Sequence, residues 1–133
     1  PDIDAEKEVS TIPLNLSVNT ASRLPLRYSG LLFGETDAGL CASSGIMDGL
    51  DAARMILAGA DVVQVVSTLY RNKITQIGRI VNDLDKWMDS KGYASRADFR
   101  GSMSRKNSAD PWVYKRAQYA RLLMKPDPMG IIR

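Results

Sequence analysis

The run Asp61-Val62-Val63-Gln64-Val65-Val66 places four valines in six positions, with Gln64 as the one interruption among them. Branched side chains at consecutive positions fit a strand covered on both faces, the situation of a parallel sheet. A second apolar run, Ala38 to Ala42, ends in Ser43-Ser44-Gly45. Between the two, Gly49 to Ala58 carries Leu50, Ala53, Met55, Ile56 and Leu57 at helical spacing, and Gly59 stops it. Strand, turn, helix, strand is a right-handed parallel crossover. Two parallel strands alone leave both sheet edges unpaired, so more sheet must exist. A complete (β/α)8 barrel takes about 250 residues, occasionally as few as about 200, against 133 here. The expected fold is α/β, the last part of such a barrel and incomplete as a single chain, with the sheet finished by another chain or by copies of this one.

After Ser67-Thr68 and the polar Arg71-Asn72-Lys73, the residues Ile74, Ile77, Ile80, Val81, Leu84, Trp87 and Met88 keep to one helical face, ending near Gly92. Upstream, residues 1–22 read as a long loop with Pro13 and a polar stretch from Ser17, in which Ser22 is placed as a helix N-cap. Leu24 to Phe33 then reads as a short helix, with Pro25 in its first turn. Downstream, Ser95-Arg96-Ala97-Asp98 is a capping signal for a short helix up to Gly101, and Asp110-Pro111 opens a last helix through Met124, before a fraying tail from Pro126 to Arg133. Trp87 and Trp112 sit at helical apolar spacing and are assigned to packing. The expected organisation is one partial domain: loop 1–22, the last βα units over 23–92, and a helical extension over 93–133.

The chain holds no histidine and one cysteine, Cys41. This excludes zinc fingers, Ser-His-Asp and Cys-His nucleophile pairs and any disulfide within one chain. Cys41, opening a small-residue run after an apolar stretch, reads as a buried small hydrophobe in a reducing cytoplasm. No apolar stretch approaches the roughly 20 residues that span a bilayer, and the acidic opening Pro1-Asp2-Ile3-Asp4-Ala5-Glu6 is not a secretory signal. A first residue other than Met suggests a processed or cut chain, read as soluble. Charge is uneven: residues 1–40 hold three basic and six acidic side chains, residues 41–93 six of each, and residues 94–133 nine basic and three acidic. The basic residues, among them Arg96, Arg100, Arg105, Lys106, Lys115, Arg116, Arg121 and Lys125, are spread over two helical patterns without an aromatic stacking motif, which reads as a solvated face rather than a nucleic-acid surface.

Both strands end in small polar residues leading toward a helix, Ser43-Ser44-Gly45 and Ser67-Thr68. Small side chains let backbone N–H groups approach an anion, and paired turns on the last two strands of a barrel are where phosphate sites recur. Ser and Gly are also ordinary turn residues, so spacing alone leaves both readings open.

In this order the segments Pro1-Asp2-Ile3-Asp4, Leu24-Pro25-Leu26-Arg27-Tyr28, Ala42-Ser43-Ser44-Gly45-Ile46, Leu57-Ala58-Gly59-Ala60-Asp61-Val62-Val63-Gln64-Val65, Ser67-Thr68-Leu69-Tyr70, Trp87-Met88, Lys91-Gly92-Tyr93-Ala94-Ser95 and Phe99-Arg100-Gly101-Ser102-Met103-Ser104 resemble the C-terminal part of a dihydroorotate dehydrogenase-like protein, a flavin-dependent (β/α)8 TIM barrel. The resemblance implies strand 7 at about Gly39 to Ser43, strand 8 at about Val62 to Val66, their helices and a C-terminal extension. It implies that flavin mononucleotide (FMN) is held by its phosphate at Ser44 and Gly45 and at Val66 and Ser67. Ser44 and Val66 stand where glycines are better known; Ser44 adds a hydroxyl and Val66 narrows the approach. Catalytic base, flavin-contacting lysine and substrate asparagines would lie on earlier strands, so the resemblance implies no catalytic residue here, no metal, and no activity of this chain by itself. Asn19-Thr20 is read as loop rather than substrate site.

Two functions follow as expectations. One is the C-terminal portion of an FMN-dependent, cytoplasmic oxidoreductase of pyrimidine biosynthesis that passes a hydride from a small-molecule substrate to flavin. The other is a noncatalytic assembly or anion-binding module derived from that fold. The expected partners are the missing N-terminal barrel portion or further copies in a homo-oligomer, with no nucleic acid and no membrane.

Overall fold

The computed structural model describes residues 2–12 and 16–114. Strands β1 (Asp2–Asp4) and β2 (Val9–Thr11) form an antiparallel hairpin, with Ile3 opposite Ser10. A 3-10 turn at Asn19–Ser22 runs into α1 (Arg23–Leu32). Then come β3 (Cys41–Ser43), α2 (Gly49–Ala58), β4 (Val62–Gln64), α3 (Ser67–Asn72) and α4 (Gln76–Lys91). Strands β3 and β4 are parallel, with Cys41 opposite Val62 and Ser43 opposite Gln64. Among the described residues the result is a mixed α/β architecture of two small sheets without a closed barrel.

Helix α2 is the centre of packing. Asp48 caps it by accepting the Asp51 N–H at 2.8 Å, and Gly59, at φ 131°, ends it. Its buried Ala52 and Met55 meet Ala42, Ile46, Ala60 and Ile80, with Leu26, Val63 and Val65 packed around them. Contact with α4 is close because of Gly49, where a Cβ would lie 2.6 Å from both Asp83 Cβ and Leu84 N. The bounds of α2 are those that the spacing predicts, and α4 ends as expected at Gly92, a left-handed C-cap.

The extension returns to α2. Gly101 and Met103 donate their N–H groups to the carbonyls of Ile56 and Leu57, each at 2.9 Å, using acceptors that a helix end leaves free. The Phe33 ring lies where a Cβ on Gly59 or Gly101 would stand, within 2.8 Å of it, and the Arg100 guanidinium sits 5.2 Å from the ring centroid. Arg100 also pairs with Asp61 at 2.8 Å. Trp87, Tyr93 and the fully buried Phe99 form an aromatic cluster with centroids 5.0–5.8 Å apart, so Trp87 does serve packing. A 3-10 turn at Arg96–Asp98 is capped as expected, the Asp98 carboxylate accepting the Ser95 N–H at 2.7 Å. A further 3-10 turn spans Pro111–Tyr114. Burial raises the Tyr114 phenol above its ordinary pKa, and its hydroxyl donates to the Met103 carbonyl. The rest of the last helix expected through Met124, the side chain of Trp112 and the tail from Pro126 lie outside the described residues.

Several expectations need correction. The first 22 residues are not all loop: Asp4 Oδ1 accepts the N–H groups of Glu6 and Lys7 at 3.1 and 3.2 Å, and this turn chemistry, not apolar alternation, builds the hairpin. Ser22 is no N-cap, since the 3-10 turn leaves it helical at φ −64°, ψ −19° and its hydroxyl donates to the Asn19 carbonyl. Residues 67–73, read only as the connection before α4, hold the short helix α3, which ends where Lys73 takes φ 67°. The valine strand is covered on one face only: Val63 and Val65 pack on the core, while Val62 and Val66 each keep 51% of their surface exposed. Cys41 is exposed for the same reason, since its neighbour Ala42 takes the core side of β3. Among the described residues no helix is long and apolar enough to cross a membrane.

Gly49→Ala should lower stability by about 1–3 kcal/mol through overpacking against α4. Gly78, also helical but with nothing within 4 Å of its Cβ position, should give the opposite sign, Gly78→Ala raising stability by about 0.5–1 kcal/mol. Urea unfolding midpoints of the two variants measure both.

Candidate functional site

The parallel register brings the carboxyl ends of β3 and β4 side by side, so the turns beyond Ser43 and Gln64 face one another. Ser44 and Gly45 turn with left-handed φ values of 81° and 71°. Left-handed backbone costs a residue with a Cβ roughly 1–2 kcal/mol, which makes Ser44 the strained member of the pair. The two turns line a pocket of about 160 Å³ in which all four residues expected from sequence, Ser44, Gly45, Val66 and Ser67, are brought together.

A fifth residue completes it. The Ser17 hydroxyl accepts the Gly45 N–H at 3.2 Å and stands 2.8 Å from the Ser67 hydroxyl, which also accepts the Ser17 N–H at 2.9 Å. One oxygen thus sits between the Gly45 N–H and the Ser67 hydroxyl, which follow two different strands. Arg71 Nη2, donating to the Leu16 carbonyl at 3.3 Å, holds the segment that carries Ser17. Sequence reading passed over Ser17 as loop; its partners are 28 and 50 residues away, and no local pattern announces them.

Gly45 is glycine for a reason other than ligand approach. A Cβ there would lie 2.3 Å from Ser22 N and 2.8 Å from the Val18 carbonyl oxygen, backbone atoms of the 3-10 turn and its N-cap. A branched side chain would displace that turn before it met any anion. Val66 needs no glycine, having φ −132° and ψ −61°.

Behind the pocket lies Asp51, 1% exposed. Its Oδ2 accepts from Asn19 Nδ2 at 2.9 Å and from the Met47 N–H at 3.0 Å, and its Oδ1 accepts from Arg54 at 2.5 Å. A buried carboxylate is tolerable only with such partners. Asn19 is therefore a structural tie between the 3-10 turn and α2. Among the described residues no group of His, Cys, Asp or Glu could hold a metal ion.

The chain is similar, over about half of its length, to the C-terminal region of dihydroorotate dehydrogenases. It is 41% identical over 64 residues to the probable dihydroorotate dehydrogenase A (fumarate) of Streptococcus pneumoniae, 36% over 64 residues to dihydroorotate dehydrogenase A (fumarate) of Lactococcus lactis, and 35% over 65 residues to dihydroorotate dehydrogenase (fumarate) of Lachancea kluyveri. These stretches are 48–49% of this chain and 21% of each relative, so the chain matches about a fifth of the length of its curated relatives. No protein-family model matches the chain.

Asp51→Ala removes the acceptor of a buried N–H and of the Asn19 amide, and should lower stability by about 2–3 kcal/mol. Arg54→Ala removes a partner that is 58% exposed and should cost less than about 1 kcal/mol. Thermal and urea unfolding of both variants check the ordering, and a larger loss for Arg54→Ala would reverse it.

Proposed function

We propose that this chain is the C-terminal portion of an FMN-dependent, dihydroorotate dehydrogenase-like oxidoreductase of pyrimidine biosynthesis, and that it supplies the flavin-phosphate end of a (β/α)8 barrel. In this reading β3 and β4 are the barrel's last two strands. Their uncovered face, carrying Cys41, Val62, Gln64 and Val66, is then the barrel interior. The observation that carries the reading is the convergence of the Gly45 N–H and the Ser67 hydroxyl on the single oxygen of Ser17. An N–H and a hydroxyl from two turns that meet on one oxygen are spaced to meet on a phosphate oxygen, to which the hydroxyl can donate, and such bonds strengthen when the acceptor is charged. Gly45 and Ser67 would hold the phosphate, the Ser44 hydroxyl would add a donor, and Val66 would limit approach on the β4 side.

When bound, flavin supplies the redox chemistry, taking a hydride from a reduced pyrimidine or related small molecule. This chain's own residues bind and orient it; the proton-moving and substrate groups belong to other strands, so the chain alone is inactive. The proposed setting is cytoplasmic, and the proposed partners are an N-terminal barrel portion or further copies in a homo-oligomer. They would also cover Ile77 and Val81 of α4, which are 43% and 51% exposed.

Titration of the chain with FMN and with riboflavin, which lacks the phosphate, tests the site by flavin fluorescence. FMN should bind more tightly, and Ser67→Ala should weaken FMN roughly tenfold to a hundredfold, the worth of a hydrogen bond to a charged group, while leaving riboflavin unchanged. Equal binding of the two flavins by the unaltered chain would overturn the phosphate assignment. Light scattering at micromolar concentration tests the partners, with assembly expected and a compact, cooperatively folding monomer counting against it.

A further inference from the structure

Thr68 is fully buried, yet it carries a hydroxyl. That hydroxyl donates to the Met47 carbonyl at 3.1 Å and accepts from Asn72 Nδ2 at 3.2 Å. The Met47 peptide is held on its other side too: its carbonyl accepts from Gln76 Nε2 at 3.0 Å, and its N–H donates to Asp51 at 3.0 Å. Met47 stands two residues after Gly45, and Thr68 directly follows Ser67. One buried side-chain bond therefore ties the turn that presents the Gly45 N–H to the turn that presents the Ser67 hydroxyl. Beyond Ser43 and Gln64, the last pair in register, these turns are linked through side chains. One link passes through Ser17, at the pocket, and the other is the Thr68 bond behind it.

The two links differ in what a ligand would do to them. An anion taking the donors of Gly45 and Ser67 would compete with the Ser17 oxygen for the same groups. The Thr68 bond lies outside that competition, because neither Thr68 nor Met47 lines the pocket. It can hold the two turns at a fixed separation whether or not the pocket is filled.

On the reading that this pocket takes a flavin phosphate, we infer that Thr68 is a positioning residue. Its hydroxyl sets the spacing between the Gly45 and Ser67 donors, and so sets the preference for a phosphate monoester over the same molecule without phosphate. A buried threonine whose hydroxyl served the fold alone could lose it, as in valine, at a cost in stability but without a change in which flavin the pocket prefers. One that served spacing would be replaceable by serine, which keeps the hydroxyl.

The experiment compares Thr68→Val, Thr68→Ala and Thr68→Ser with the unaltered chain. FMN and riboflavin are titrated separately and fold is checked by circular dichroism; alanine is the second hydroxyl-free variant should valine fail to fold. The expected result is a loss of FMN affinity of about tenfold in the hydroxyl-free variants, as for one misplaced charge-assisted bond. Riboflavin binding should not change, and Thr68→Ser should restore the preference. Folded hydroxyl-free variants that keep the original ratio of FMN to riboflavin affinity, or that lose both flavins equally, would overturn the positioning role. An unaltered chain with no preference for FMN would instead overturn the phosphate site on which the role rests.

Discussion

Everything in this fold depends on how closely its neighbours approach α2. The helix buries Gly49, Ala52, Ala53 and Ala58, small residues that let flanking backbones come near. At Gly49 the backbone of α4 is so close that a single methyl group has no room. At the other end, the carbonyls of Ile56 and Leu57 are taken by N–H groups of the extension rather than by solvent. The helix thus fixes both what lies against its face and what crosses its end. The sheet-end turns inherit their placement from it, because Asp51 in its first turn also anchors Met47 and Asn19.

Covering is one-sided, and that asymmetry has physical content. A parallel pair buries the residues that face a crossover helix and leaves the alternate set for whatever lies opposite. Here Ala42, Val63 and Val65 belong to the first set, and Cys41, Val62 and Val66 to the second. On the proposed reading, the valines at 51% exposure and the exposed apolar residues of α4 are the surfaces that an opposing layer would cover.

Legibility in the sequence followed the range of the interactions. Helix α2 was readable because its apolar spacing and its terminal glycine lie within a dozen residues. The end of α4 was readable from Gly92. The hairpin was not, because its strands alternate no apolar pattern and its turn depends on one aspartate side chain reaching two backbone groups. The split between α3 and α4 was hidden in the left-handed backbone of Lys73, a residue with no marked preference for it. For the site, the two turns were legible as small polar residues after strands. Ser17 and Asp51, which tie those turns to distant segments, were not, since side-chain bonds over tens of residues leave no periodic trace.

Gly45 shows how one position can answer to a constraint that lies within the chain itself. Sequence logic places a glycine where a ligand's oxygen must come near backbone, and the structure does bring the Gly45 N–H into the pocket. The space that a side chain would need is nevertheless filled by the chain's own 3-10 turn. The absent Cβ lets the segment bearing Ser17 pack against the β3 turn, and that packing holds the Ser17 oxygen within reach of both turns. Close backbone approach thus acts one step before the ligand. It assembles three chain segments around one oxygen position, and the donors that meet there follow from that assembly.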